Sequence, residues 1–295
     1  MSDQPLVSVV IPCYNHEKFV QDCIQSVIDQ TYKNIELIII DDGSKDNSVI
    51  KIEEMIQKCK NRFVRFKFRA RVNKGLSNTL NEALSWCRGE YYVAIASDDM
   101  MLNERIEKQV EILNNNKEFY ACSGSQLKVD ESNNIYGKKY QNYIIKKKEV
   151  KNRGNLFRRS NNLYSPTTIF RTEVVRALGG YNSEILIEDL YIFYKAALLN
   201  YKHLQVEDIF TYYRIHGNNN HKRFIWMHEN KMKILDELKD FSEYRMIEKL
   251  FLLEGFYSIS KYLGREEGVK LFKSCLKYFY HPYFIIGCLF LVIKR

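Results

Sequence analysis

The 295-residue sequence is poor in the residues that mark fibrous, low-complexity and disulfide-rich chains. It has four prolines and thirteen glycines without a fixed spacing, which argues against collagen-like repetition. Its seven cysteines are odd in number and never spaced as C-x-x-C, so we interpret them as reduced core residues. The 45% of hydrophobic residues argue against a disordered chain and supply a sizeable core.

Three common catalytic motifs are also missing. The sequence has no G-x-x-x-x-G-K-[ST], no G-x-G-x-x-G after its first apolar segment and no G-x-S-x-G. These absences argue against a P-loop NTPase, a dinucleotide-binding oxidoreductase and an α/β hydrolase.

No apolar run is long enough to cross a membrane. The longest uninterrupted one covers 283–293, whereas a spanning helix needs about 20 apolar residues. We therefore consider two roles for the C-terminal segment 278–295: it lies in the membrane interface, or it packs on the protein's own core. The first residues lack the features of an export signal, and this predicts a cytoplasmic location.

The net charge of +9 is concentrated in two segments. Residues 128–159 contain ten basic and three acidic residues, and 268–295 contain five basic residues and no acidic one. Such an excess favours phosphate-bearing or anionic-lipid partners, although a solvated lysine face explains it equally well. Only the net charge suggests nucleic-acid binding, so we predict no nucleic-acid partner.

The first hundred residues alternate between strand and helix patterns. Continuously apolar runs at 7–11, 35–40 and 91–96 predict strands, and the segments 17–30 and 76–87 have helical spacing. This order predicts an α/β fold with a central, mostly parallel sheet that is covered on both faces. Ligands of such sheets bind beyond the carboxyl ends of the strands.

The pattern changes twice further along the chain. Periodicity fades after Asp130, and we predict a basic, loop-rich insertion over 124–164. Helical patterns follow from Thr172, from Glu188 and throughout the residues beyond 220. We therefore predict a catalytic domain over 1–220 and a helical C-terminal region over 221–295.

Polar clusters at the predicted strand ends are the candidate site residues. Asp98 and Asp99 follow an apolar strand, where adjacent carboxylates suit Mg²⁺ or Mn²⁺, or alternatively cap the next helix. Asp189 lies at a predicted helix start, where an acidic residue taken alone is a capping feature, and a lone His216 is more often structural than a ligand. An aromatic at Tyr14 suits either a nucleotide base or packing against the sheet.

The order of these clusters is far more specific than any one of them, and it resembles family-2 glycosyltransferases. The resemblance covers about residues 5–217 and not the helical tail. The segments that carry it are Val7-Ser-Val-Val-Ile-Pro-Cys-Tyr-Asn15, Ser26-Val-Ile-Asp-Gln-Thr-Tyr32, Glu36-Leu-Ile-Ile-Ile-Asp-Asp-Gly-Ser44, Asn73-Lys-Gly75, Gly89-Glu-Tyr91, Ser97-Asp-Asp99, Gly179-Gly-Tyr181 and Glu188-Asp189.

The resemblance implies a GT-A fold and the transfer of a sugar from a nucleotide diphosphate donor with inversion at the anomeric carbon. Asp42 would bind the base, usually uracil, Asp189 would be the general base, and His216 would help to hold the cation or the diphosphate. Of the pair Asp98 and Asp99, Asp99 would be the direct ligand of Mn²⁺ or Mg²⁺. By this resemblance the positions expected to contact the donor are Pro12, Tyr14, Asn15, Asp42, Gly75 and Asp98. Arg71 and Lys74 flank a predicted strand-to-helix turn and are expected to meet the diphosphate, although most such surface cations have no ligand.

Two positions depart from the family pattern. Ala96 stands where many members have the first aspartate of Asp-x-Asp-Asp, so cation binding rests on fewer carboxylates. Asn182 and Ser183 replace a frequent Asp-Glu, which affects the expected acceptor contacts there but not the general base.

We therefore expect an inverting transferase that uses a UDP-sugar. It would extend a saccharide on an undecaprenyl-diphosphate type of lipid with a β linkage, in O-antigen or capsule synthesis. It would work at the cytoplasmic face of the inner membrane, with peripheral contact through the C-terminus. A soluble glycan or protein acceptor, or a non-catalytic nucleotide-sugar-binding module, are the alternatives. The sequence leaves the two sugars and the oligomeric state open.

Overall fold

The computed structural model describes residues 4–137, 144–157, 163–217 and 223–293. The chain divides into two compact units. Unit 1 comprises Met1–Asn152, Asn162–Ser183 and Glu188–Gly217, and unit 2 comprises Arg153–Asn161, Glu184–Ile187 and Asn218–Arg295. The predicted boundary at residue 220 lies outside the described residues and stays a prediction.

Unit 1 begins with alternating strands and helices, as the sequence predicts. They are β1 (Val7–Cys13), α1 (Val20–Ile28), β2 (Ile35–Asp41), α2 (Ser48–Glu53), α3 (Ile56–Arg62), β3 (Arg65–Ala70), α4 (Leu76–Trp86) and β4 (Tyr91–Ala94). Every residue of β2 is buried, because both faces of this strand are covered.

The second half of unit 1 is richer in strands than the sequence pattern indicates. It contains β5 (Met100–Met101), α5 (Arg105–Asn115), β6 (Phe119–Val129), β7 (Glu149–Lys151), β8 (Ile169–Arg171), α6 (Thr172–Ala177), α7 (Glu188–Leu198) and β9 (Lys202–Arg214).

The predicted loop-rich insertion over 124–164 is shorter in the structure. Residues 124–129 continue β6, because residues 125–129 pair with β9. Residues 149–151 form β7, which also pairs with β9. Residues 138–143 and 158–162 of the predicted insertion lie outside the described residues.

The described strands form one sheet in the order β3-β2-β1-β4-β8-β6-β9-β5, with β7 paired to β9. Six of these nine strands run in the same direction, and β5, β7 and β8 run antiparallel to them. The expected mostly parallel sheet is therefore confirmed. The carboxyl ends of β1, β2, β3, β4 and β9 consequently lie at one edge.

Unit 2 is helical throughout its described C-terminal part, as predicted. It contains α8 (Phe224–Glu237), α9 (Tyr244–Leu263), α10 (Arg265–Cys275), a short 3-10 turn (Leu276–Tyr278) and α11 (Pro282–Ile293). In α11, Phe284 is buried and stacks on Phe256 of α9. Among the described residues, none of the helices combines the length and apolar character that a membrane span requires.

Candidate active site

Polar residues follow the carboxyl ends of five strands that run in the same direction, and all of them except His16 are predicted site residues. His16 follows β1, Asp42 follows β2, Arg71 follows β3, Asp98 follows β4 and His216 follows β9. Because these strands share a direction, their ends bring distant parts of the chain to one edge of the sheet. This edge is the candidate active site.

Asp98 and two histidines form its most compact cluster. His216 Nε2 lies 2.8 Å from Asp98 Oδ2, and His16 Nδ1 lies 2.7 Å from the hydroxyl of Ser97. Among the described residues, the potential ligand atoms of His16, Asp98 and His216 all lie within 4.8 Å of one another. Two imidazoles and one carboxylate at this spacing suit a divalent cation.

The protonation states of this cluster also suit a cation. Burial lowers the pKa of His16, although the charge of Asp98 opposes this effect, so the imidazole is neutral near neutral pH. Burial alone would raise the pKa of Asp98. The hydrogen bond with His216 is the largest of the contributions that oppose burial, and together they lower the pKa of Asp98. A neutral imidazole and an ionised carboxylate are the metal-binding forms.

Asp99 occupies a different environment from Asp98. Its side chain is 1% exposed, and Oδ1 accepts a hydrogen bond from the backbone N–H of Arg214 at 2.9 Å. Burial and the charge of Asp98 raise the pKa of Asp99 well above its usual value. Asp98 is thus the carboxylate that contacts a histidine directly, and the expected role of Asp99 as a ligand stays a prediction.

Asp42 joins the loop after β2 to the loop after β3. Its carboxylate pairs with Arg71 and accepts the backbone N–H groups of Lys74 at 2.8 Å and Gly75 at 2.9 Å. Arg71 also pairs with Glu82 of α4 at 2.8 Å. These contacts show Asp42 organising the loop that carries Lys74, and its predicted bond to a base stays a prediction.

The turn after β1 presents an accessible aromatic ring. Tyr14 is 46% exposed, and the half-buried Pro12 lies two residues before it in β1. Asn15 has a left-handed backbone with φ of 55°. Its N–H donates to Ser44 Oγ at 2.8 Å, and its side-chain oxygen accepts the N–H of Lys45 at 2.7 Å. These bonds tie the turn after β1 to the turn after β2.

Asp189 lies in the first turn of α7 and is partly accessible. A side-chain hydrogen bond from Ser165 lowers its pKa, but burial has the larger effect and raises it. Ser165 precedes β8, which runs antiparallel to β4. The start of β8 therefore lies toward the edge where β4 ends, and Ser165 brings Asp189 to that edge. The adjacent Glu188 has a pKa raised to about 8 by burial and by the charge of Asp189.

Sequence reasoning missed two residues of this site. His16 had no predicted role, although its position directly after the Pro-Cys-Tyr-Asn turn of β1 is a usable signal. Arg214 lies two residues before His216, and its side chain is fully buried beside Asp98.

Comparison with known proteins identifies the family. A family model described as glycosyl transferase family 2 matches residues 8–179, which is more than half of the chain. The chain belongs to glycosyl transferase family 2. The resemblance seen in the sequence is thereby confirmed, and the protein is a transferase.

Two curated relatives of this family-2 glycosyltransferase each cover about three quarters of its chain, and a third covers 45% of it. An uncharacterized glycosyltransferase of Methanocaldococcus jannaschii is 28% identical over 221 residues, which cover 74% of each chain. One of Haemophilus influenzae is 32% identical over 231 residues, which cover 74% of this chain and 68% of the relative. A third, from Rickettsia typhi, is 35% identical over 134 residues, and the match covers only 40% of that relative.

Solved structures confirm the GT-A fold of the family-2 glycosyltransferase. S. aureus TarS 1-349 in complex with UDP-GlcNAc has a TM-score of 0.67 at 19% identity, and the match covers 96% of this chain and 79% of TarS. The mannosyltransferase PcManGT from Pyrobaculum calidifontis, in complex with GDP-Man and Mn²⁺, has a TM-score of 0.67 at 14% identity. That match covers 99% and 86% of the two chains.

Two arginines near the end of β3 provide a stability test of the Asp42 loop. Replacing Arg71, whose side chain is 6% exposed, with alanine leaves the buried Asp42 carboxylate without its ion-pair partner. We expect Arg71→Ala to cost about 3–5 kcal/mol in the free energy of unfolding, measured with urea. Arg69→Ala is the matched control, because Arg69 also contacts Glu82 but is 53% exposed. We expect Arg69→Ala to lower the free energy of unfolding by less than about 1 kcal/mol. Equal losses would show that the Asp42 pair does not hold the loop.

Proposed function

We propose that this chain transfers a sugar, with inversion, from a nucleotide diphosphate donor to a hydroxyl of an acceptor saccharide. The observation that carries the proposal is the cluster of His16, Asp98 and His216 at the sheet edge of a family-2 chain. The structural relatives support this class of donor, since TarS has been solved with UDP-GlcNAc and PcManGT with GDP-Man. A UDP-sugar is the preferred donor, because Asp42 matches the family's uracil-binding position.

Mn²⁺ fits the cluster better than Mg²⁺. Mg²⁺ prefers an octahedral set of oxygen ligands, whereas the cluster offers two imidazoles and one carboxylate. PcManGT, which shares the fold, has been solved with Mn²⁺. A cation bound here would stabilise the negative charge that develops on the departing diphosphate. His16, Asp98 and His216 would hold it, with Asp99 buried behind them.

The donor would lie across the strand ends. Tyr14 offers an exposed ring to the flat face of the base, and the exposed Lys74 lies on the loop that Asp42 holds in place. Lys74 would pair with the diphosphate, whereas Arg71 is already paired with Asp42 and Glu82. Arg71 would then affect donor binding indirectly, because its pair with Asp42 holds this loop in place.

Asp189 would remove the proton from the acceptor hydroxyl. As the new C–O bond forms at the anomeric carbon, the bond to the diphosphate breaks and its electron pair leaves with the diphosphate. Attack from the opposite side inverts the configuration, so an α-linked donor gives a β-linked product. A raised pKa makes Asp189 a better base, and Glu188, with a pKa of about 8, is largely neutral beside it at pH 7.

The acceptor we propose is a saccharide on a lipid diphosphate of the undecaprenyl type, as in O-antigen or capsule synthesis at the cytoplasmic membrane face. The exposed side of α11 supports membrane contact, since Ile285, Leu289 and Val292 are 50%, 53% and 75% exposed. A helix of 12 residues is about 18 Å long, which suits the membrane interface and not a span. A soluble glycan or protein acceptor is the alternative.

A donor panel with a base variant tests the reaction. We expect the protein with Mn²⁺ and a lipid-linked acceptor to release UDP from at least one UDP-sugar. Asp189→Asn should lower kcat by about 10²- to 10⁴-fold, because the acceptor hydroxyl loses its base. UDP release is measured at pH 7, with GDP-sugars run in parallel. An Asp189→Asn variant as fast as the wild type would contradict the assignment of the base.

Glu188→Gln is the matched control for Asp189→Asn. It preserves the neutral form that Glu188 largely has at pH 7 and should keep kcat within about threefold.

The pH profile of kcat provides a second check of Asp189 as the base. Asp189 acts when deprotonated, so kcat should fall as the pH decreases through its raised pKa, above the usual value of about 4. A profile flat down to about pH 4 would contradict this role.

The exposed face of α11 predicts membrane binding that depends on three side chains. We expect Ile285→Ser, Leu289→Ser and Val292→Ser together to weaken binding to anionic vesicles by at least about tenfold, since their apolar area no longer enters the interface. Binding is measured by vesicle co-sedimentation.

A triple variant in unit 1 controls for the loss of apolar surface in general. Ile50→Ser, Val64→Ser and Ile135→Ser remove side chains that are 53%, 62% and 52% exposed, and vesicle binding should remain unchanged. If the α11 variant binds vesicles as well as this control, the tail does not contact the membrane and the soluble acceptor is favoured.

A further inference from the structure

The guanidinium of Arg214 is fully buried directly beneath the proposed cation site. Its Nε donates to the backbone carbonyl of Asp98 at 2.8 Å. One terminal nitrogen donates to the carbonyls of Asp130 and Glu131 at 3.1 and 3.3 Å, and the other pairs with Asp22 Oδ2 at 3.3 Å. A single side chain thus joins α1, the turn after β4 and the turn after β6.

The backbone of Arg214 holds the same turn from a second direction. Its N–H donates to Asp99 Oδ1 at 2.9 Å. Together with the Nε bond to Asp98, this fixes both aspartates to the end of β9. His216 follows two residues later, so Arg214 connects the carboxylate and the imidazole that would bind the cation.

Phe19 extends this connection to both histidines. The guanidinium carbon of Arg214 lies 4.7 Å from the centroid of the Phe19 ring. The ring of Phe19 in turn lies 5.3 Å from His216 and 6.1 Å from His16, centroid to centroid. The arginine, the phenylalanine and the two imidazoles therefore pack as one group, and a shift of the guanidinium would move the imidazoles.

We propose that Arg214 is a positioning residue that sets Asp98 and His216 at the correct separation for a divalent cation, and that Asp22 orients its guanidinium. This inference rests on the cation site of the proposed function. Lysine cannot replace arginine here, because one ammonium group cannot reproduce the planar fork that binds Asp98, Asp22 and the two carbonyls at once. Groups behind metal ligands typically change metal affinity about 10- to 100-fold when they are replaced.

The test measures Mn²⁺ binding to the full chain without any nucleotide. Free Mn²⁺ is followed by electron paramagnetic resonance during titration of the wild type, Arg214→Lys and Asp22→Asn. We expect Arg214→Lys to bind Mn²⁺ at least about tenfold more weakly than the wild type. Asp22→Asn should bind it about two- to fivefold more weakly, because the Asp22 side chain is 43% exposed and its pair contributes less.

Asp29→Asn is the matched control for Asp22→Asn. Asp29 lies on the exposed surface of the turn directly after α1, and its carboxylate accepts a hydrogen bond from Gln25 at 2.8 Å. Its replacement removes the same charge from the same region and should leave Mn²⁺ affinity unchanged. The melting temperature without metal should be the same for Asp22→Asn and Asp29→Asn, and saturating Mn²⁺ should restore kcat in Asp22→Asn. A purely structural role would lower the melting temperature and would not respond to Mn²⁺.

The outcomes separate this inference from the proposed function. If the wild type binds no Mn²⁺, the cation site itself is wrong. If the wild type binds Mn²⁺ and a folded Arg214→Lys binds it within about twofold, only the positioning role is wrong. Should Arg214→Lys fail to fold, Asp22→Asn decides, and an affinity equal to that of Asp29→Asn overturns the inference.

Discussion

The hydrogen bond between Asp98 and His216 is the interaction on which the rest of the site depends. It joins two residues that are 118 positions apart in the sequence and connects the segment after β4 to the segment after β9. The parallel strands β1, β2 and β3 end at the same edge and add His16, Asp42 and the loop with Lys74. The fold thereby gathers the proposed cation site, the exposed ring of Tyr14 and the loop that carries Lys74 at the strand ends, where α/β sheets bind ligands.

The cost of burying charge explains why so many donors converge there. Adjacent carboxylates at a buried strand end repel each other and lose hydration unless cations or N–H groups compensate them. The backbone N–H and the charge of Arg214 offset this cost only in part for Asp99, so the pKa of Asp99 stays raised well above its usual value. Asp98 instead contacts His216 and lies near His16. Binding of Asp98 and His216 to one cation can replace the hydrogen bond between them. One aspartate is therefore tied to the scaffold, and the other remains available to a ligand.

Much of this could be predicted from sequence, and the exceptions have a common cause. The apolar runs of β2 and β4, the polar residues after them and the acidic pair at the start of α7 are local signals, and Asp42, Asp98 and Asp189 stood out for that reason. By contrast, β9 carries buried polar residues such as His203 and Gln205, so its pattern does not indicate a strand. His16 and Arg214 gain their roles only through contacts across the sheet, which periodicity within one segment cannot reveal. Met100 and Met101 likewise form a strand only because they pair with β9, and the helix after Asp99 begins at Arg105.

The central claim is that one carboxylate and two imidazoles hold the cation. Pulsed electron paramagnetic resonance of the Mn²⁺-loaded protein tests it most directly, since ¹⁴N couplings report histidine nitrogens bound to the metal. We expect couplings from two nitrogens, of which one is lost in His16→Gln and the other in a separate His216→Gln variant. A bound Mn²⁺ without ¹⁴N coupling, or couplings that survive both substitutions, would contradict it.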